Sequence, residues 1–214
     1  MDPEVYYNPE QQQKKNFTLK KPEIIHLVIA WVGITVAFSW KGVSNIGAMW
    51  DLLPIILVGT LTAFILHELA HKFVAIHYGC YARFVLWPAG LGFAIILSLI
   101  TSGGFVFAAP GAVYIWGKNI TRKENGIISF SGPFANFCLS IIFIFLGIVL
   151  SQFVSNQYLL TLFYYVAMIN IFLGAFNLLP IPPLDGFKVF LWNKLLWLIS
   201  LLAFIGLYFF LIYV

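Results

Sequence analysis

The chain has 214 residues, of which 61% are apolar and only 9% charged. A soluble domain runs to about 45–50% apolar and about 25% charged, so this composition excludes an ordinary water-soluble enzyme, a disordered tail and a nucleic-acid binder. The net charge of +4 is too small for a polyanion-binding surface and reads as the orientation charge of a membrane protein.

Residues Met1 to Pro22 make a polar arm, with Gln11, Gln12 and Gln13 followed by Lys14, Lys15, Lys20 and Lys21. The arm is too long and polar for a cleavable signal peptide, and no small-residue cleavage site follows a short apolar core. Ile24 to Trp40 is a short but sufficient spanning run, and a second begins after Asp51 and reaches about Tyr78. Ile127 to Phe153, Tyr158 to Ile181 and Leu195 to Val214 each hold roughly the 20 apolar residues that a hydrocarbon core of about 30 Å requires. The expectation is an all-α polytopic membrane protein of five to six transmembrane helices, with residues 23–214 as one domain.

Between the second span and Ile127 the pattern changes. Pro88, Gly90, Gly92, Gly103, Gly104, Pro110 and Gly111 punctuate the stretch from Phe84 to Trp116 and oppose one straight helix. Phe105 to Phe107 and Ala112 to Ile115 could be short strands. The stretch is therefore expected to be a membrane-associated hairpin, of helix or strand, that enters and leaves on one side; the alternative is a single crossing. Charge separates the two. The hairpin places the four N-terminal lysines, Lys72, Arg83, Lys118, Arg122, Lys123, Lys188 and Lys194 on one side and Lys41 alone on the other, as the positive-inside rule asks. The N-terminus is then cytoplasmic and the C-terminus outside, in a multi-pass protein of the cell membrane.

The second span contains His67-Glu68-Leu69-Ala70-His71. Histidines at i and i+4 project from one helix face, so both imidazoles can reach one tetrahedral cation. The glutamate between them can work on water at the metal without being a ligand, which is a zinc-hydrolase signature. A solvated helix end would explain these residues more simply, but three ionisable groups inside an apolar span each cost about 2–3 kcal/mol and normally mark function. His67 is 16 residues past Asp51, or about 24 Å into a core about 30 Å thick, which places the site near the cytoplasmic face.

A catalytic zinc site normally has a third protein ligand. His77 points to another helix face and His26 starts the first span, so both read as interfacial. Asp185, in Asn177-Leu178-Leu179-Pro180-Ile181-Pro182-Pro183-Leu184-Asp185-Gly186, is the outstanding acid. The prolines stop the preceding helix, and an extended segment could aim Asp185 by its backbone. Asp185 could equally cap the helix that follows. The hairpin threading puts it on the side of His67 and His71.

These motifs resemble the site-2 protease family of intramembrane zinc metalloproteases: His67 to His71, then Gly132-Pro133-Phe134-Ala135-Asn136 opening a helix, then Asn177 to Gly186. The matching core runs from about residue 64 to 186. The resemblance implies a zinc endopeptidase cleaving peptide bonds in or near transmembrane segments of membrane-protein substrates. It implies one zinc ion per chain held by His67, His71 and Asp185, Glu68 as general base, and Asn136 and Asn177 near the site. Asn177 is the better candidate for touching substrate or a developing oxyanion, against interhelical hydrogen bonding for either. The segment between the motifs has no room for a PDZ-like insert, and no nucleotide-sensing module is expected. Substrate selection would then fall to the bundle and to a strand edge in the hairpin. A non-proteolytic zinc-binding membrane protein, transporter or scaffold, is the competing class. Cys80 and Cys138 define neither a disulfide nor a thiolate metal site, and no nucleic-acid partner is expected.

Overall fold

Apolar length sets the frame. The computed structural model describes residues 17–107, 109–116 and 120–213, so most of the polar arm and Lys118 lie outside the described residues. Among the described residues, five helices are long and apolar enough to cross a membrane: Lys21–Ser39, Met49–His77, Arg122–Ser151, Gln157–Asn177 and Lys194–Tyr213. They match the expected spans to within about five residues at each end.

In chain order the elements are α1 (Lys21–Ser39), α2 (Ile46–Thr60), a π-helical turn (Leu61–Ile65) and α3 (Leu66–His77). There follow β1 (Tyr81–Leu86), α4 (Pro88–Ile100), β2 (Gly111–Trp116), α5 (Arg122–Ser151), α6 (Gln157–Asn177), α7 (Asp185–Trp192) and α8 (Lys194–Tyr213). Local chemistry marks the ends. Thr121 and Glu124 form a reciprocal capping box at the start of α5, satisfying two amides that the first turn would leave unpaired. Gly79, at φ +78°, ends α3, because the left-handed conformation there costs a residue without Cβ little.

The two ends of the hairpin are paired. β1 and β2 are antiparallel, with Tyr81 opposite Trp116 and Leu86 opposite Gly111. Between them α4 climbs beside α1: Ser98 Oγ donates to the Ala37 carbonyl at 2.6 Å, and Gly103 sits where any Cβ would run into the Trp40 carbonyl. Among the described residues of the return, 101–107 and 109–110, there is no helix or strand. One limb is helical and the other irregular, and Phe105 to Phe107 is not a strand as expected. The partner of the Ala112 to Ile115 run is Tyr81–Leu86, which the expectation had largely placed before the hairpin.

Two further expectations are corrected. Gly132 and Pro133 neither open nor break a helix: both lie inside the continuous α5, where proline removes one intrahelical bond while packed neighbours hold the rest of the ladder. Residues 178–184 are a run of tight turns rather than an extended segment, with Ile181 N–H donating to Leu179 O and Leu184 N–H to Ile181 O.

The main core lies where α1, the π turn, β1 and α6 meet, around Ile34, Phe64, Phe84, Ile169 and Leu173. A second packs α5, α6 and α8 together through Ile144, Ile171 and Phe204. Large apolar side chains such as Ile142, Phe145, Leu202 and Phe209 stay exposed on the outer faces of α5 and α8. Helices apolar on both faces suit lipid rather than water.

Candidate metal centre

The π turn comes immediately before the histidine motif and re-phases α3 relative to α2. α3 then turns His67, Glu68 and His71 inward, and all three are buried. Asp185 arrives from the far end of the chain as the first residue of α7. Gly186 makes that approach feasible, since any Cβ there would run into the Leu178 backbone. Lys188 Nζ stands 3.6 Å from Asp185 Oδ1, and the other carboxylate oxygen faces the histidines.

His67 Nε2 and His71 Nε2 are 3.0 Å apart, and Asp185 Oδ2 lies 3.3 Å from the first and 2.9 Å from the second. These are the separations that a tetrahedral zinc site produces: bonds of about 2.0–2.1 Å put neighbouring ligand atoms about 3.3 Å apart. The opposite ring nitrogens are already committed. His67 Nδ1 meets Asn136 Oδ1 at 2.5 Å, and His71 Nδ1 meets the Ile128 carbonyl at 2.7 Å. A carbonyl oxygen only accepts, so each Nδ1 donates, and a ring that carries its one hydrogen there turns its Nε2 lone pair inward. With the rings in that form, two lone pairs and a carboxylate oxygen so close together repel unless a cation lies between them. The donor set fits zinc. Gly132 keeps the space clear, since a Cβ there would lie 2.6 Å from His67 Nε2.

This is the one group of three or more potential metal-binding side chains among the described residues whose ligand atoms converge. His26 is elsewhere, its Nδ1 a long 3.5 Å from the Leu86 amide, and His77 is exposed at the end of α3. A cavity of about 310 Å³ opens beside the cluster, lined by Glu68, His71, Val113, Asn177, Asp185 and Lys188 among others. Glu68 Oε2 is buried and has no hydrogen-bond partner, so a group that normally demands one faces this space unpaired.

The two asparagines stand differently. Asn177 lines the cavity; its Nδ2 donates to the Leu173 carbonyl at 3.0 Å, which leaves its oxygen and its second amide hydrogen for other partners. Asn136 is fully buried behind His67, and its Nδ2 donates to the Ala63 carbonyl at 2.8 Å and to Asn170 Oδ1 at 3.1 Å. Asn170 was missed by the sequence reading, although an amide between Ile169 and Ile171 in the middle of a spanning helix is itself a signal. Lys72, counted among the positive charges of one membrane side, is buried in an ion pair with Glu23, and Arg83 is also buried.

Register identifies the strand edge that faces the cavity. Trp87 N–H donates to Pro110 O, so alternate residues of β2 bond to β1 while Gly111, Val113 and Ile115 turn their amides and carbonyls the other way. The opposite edge of the sheet is covered: the Phe84 amide donates to Glu23 Oε1 at 3.0 Å. The open edge of β2 borders the cavity.

Residues 55–200 match the family model described as Peptidase family M50. The chain is 38% identical over 194 residues to "Putative zinc metalloprotease MJ0611" of Methanocaldococcus jannaschii, spanning 89% of this chain and 94% of that one. It is 30% identical over 152 residues to "Putative zinc metalloprotease YwhC" of Bacillus subtilis, spanning 65% and 68%. To "Zinc metalloprotease MJ0392" of Methanocaldococcus jannaschii it is 27% identical over 168 residues, spanning 77% of this chain and 41% of that one. No solved structure matches the chain.

Proposed function

The chain belongs to peptidase family M50 and is a multi-pass, site-2 protease-like zinc metalloprotease, and from that premise we propose that it cuts membrane-protein substrates in or near their transmembrane segments. In this reading His67, His71 and Asp185 hold the zinc and Glu68 is the general base. The observation that carries it is the convergence of three ligand atoms within 4.8 Å, on a spanning helix and beside an unpaired carboxylate oxygen. Zinc in such a site lowers the pKa of water towards about 7 and polarises the scissile carbonyl.

The chain's own groups do the rest. Glu68 takes a proton from the attacking water and returns it to the leaving amine; its Oε2 has no protein partner to give up first. Asn177 offers the second N–H of its amide to the developing oxyanion, or its amide oxygen to a backbone N–H of the substrate. A transmembrane helix has its carbonyls occupied by internal bonds, so the substrate must unwind locally. The outward amides and carbonyls of Gly111 and Ile115, with the Val113 carbonyl between them, give the unwound segment a strand to pair with.

The same reading places the N-terminus in the cytoplasm and the site near that side of the bilayer. The starts of α1, α5 and α8 and the ends of α3 and α6 share one face, with Lys20, Lys21, Arg122, Lys123, Lys188 and Lys194 there and Lys41 at the other end. Residues 1–22 are then a cytoplasmic arm and 23–214 one protease domain with its core at 64–186.

The test is cleavage of a panel of single-span substrates in liposomes. Glu68→Ala should abolish cleavage while retaining zinc, and Asp185→Ala should lose both. Full cleavage by Glu68→Ala would remove the general-base assignment.

A further inference from the structure

Asn170 lies near the middle of α6, fully buried, in a helix that is otherwise almost wholly apolar there. An amide at such depth is costly unless all its donors and acceptors are matched. Here they are matched: Nδ2 donates to the Val166 carbonyl at 2.8 Å and to Thr62 Oγ1 at 2.9 Å, and Oδ1 accepts from Asn136 Nδ2 at 3.1 Å.

The bonds have a direction. Val166 O can only accept, so Asn170 must turn its NH2 group there and its oxygen towards Asn136. Ala63 O and Asn170 Oδ1 both require the NH2 group of Asn136, which leaves Asn136 Oδ1 facing His67 Nδ1. That oxygen holds the hydrogen on Nδ1 and aims Nε2 at His71 and Asp185. Ala63 lies inside the π turn, where the wider hydrogen-bonding pattern disrupts the regular ladder and frees backbone groups for side chains. Thr62, in the same turn, anchors Asn170.

We propose that Asn170 is a positioning residue for the metal centre: through Asn136 it fixes the orientation and hydrogen-bonding state of His67, with the π turn as the second anchor of the relay. The proposal rests on the reading of His67 as a zinc ligand. It reaches no substrate and concerns a side chain two steps removed from the ion. Partners of this kind typically change metal affinity 10–100-fold when removed.

The test is zinc affinity, by chelator competition, of the full-length protein in detergent. Asn170→Leu should weaken zinc binding about tenfold or more. In metal-free protein with nitrogen-15-labelled histidine, it should also diminish the Nδ1-protonated signal that is assigned to His67 by its loss in His67→Ala. Ser98→Ala removes a hydrogen bond of similar burial outside the relay, the one to the Ala37 carbonyl, so its zinc affinity should stay within about twofold of wild type even if its thermal stability falls as far. If Asn170→Leu does not fold, Asn170→Ser carries the same expectation, because its short side chain cannot span to Asn136. Wild-type zinc affinity and an unchanged His67 signal in the Asn170 variants would overturn the proposal. His67→Ala separates the two levels: if it too binds zinc like wild type, the metal-site reading falls as well; if it alone is weakened, only the role of Asn170 falls.

Discussion

Lys72 Nζ lies 2.6 Å from Glu23 Oε2, with both residues almost sealed from solvent at 3% and 2% exposure. The same ammonium donates to the Thr18 carbonyl at 2.7 Å, and Glu23 Oε1 accepts the Phe84 amide at 3.0 Å. One ion pair thus ties the start of α1, the metal helix and the covered edge of β1 together, one residue after His71.

Removing one partner leaves the other charge buried and unpaired, which costs about 3–5 kcal/mol. Glu23→Ala and Lys72→Ala should each lower the thermal unfolding temperature in detergent markedly, and Glu23→Leu combined with Lys72→Leu should recover much of the loss. Single variants as stable as wild type would show that the pair does not hold these elements together.

Gly132→Ala places a methyl group against His67 Nε2 and should strip zinc while helix content stays unchanged. Gly92→Ala is the matched control, since nothing lies within 4 Å of a Cβ there. Zinc analysis and circular dichroism of both variants check the pair.

Ile115→Pro takes an amide from the open edge of β2 without breaking a bond to β1, a position where proline is tolerated in a strand. The expected result is a raised KM for a transmembrane substrate, with zinc content intact. Unchanged KM would remove the edge from substrate binding.

Zinc that binds only the folded chain should also stabilise it, by about 2.7 kcal/mol at a hundredfold excess over Kd. The wild-type unfolding temperature should therefore rise with zinc, and that of Asp185→Ala should not. Parallel melting curves at graded zinc concentrations show the difference.

The five spans and the histidine pair were legible because each depends on local pattern: apolar length for the spans, and i to i+4 spacing for His67 and His71. Asp185 was legible through its surroundings, as an acid beside a proline cluster. What escaped was set by tertiary packing. Nothing local shows that Tyr81–Leu86 pairs with Gly111–Trp116 across a helix, because strand partners are chosen by the global fold. Pro133 reads as a helix breaker in isolation, yet α5 continues through it. Lys72 enters the sequence only as one charge in a count, and its partner Glu23, 49 residues away, is set by the fold. Asn170 carried a signal in its burial among isoleucines, but its partners Asn136 and Thr62 come from other spans.

The most direct measurement is the zinc content of purified full-length protein, compared between wild type and Asp185→Ala. About one zinc per wild-type chain and little in the variant is the predicted result, since a carboxylate 114 residues from His71 would supply the third ligand. Equal zinc in both proteins would contradict it.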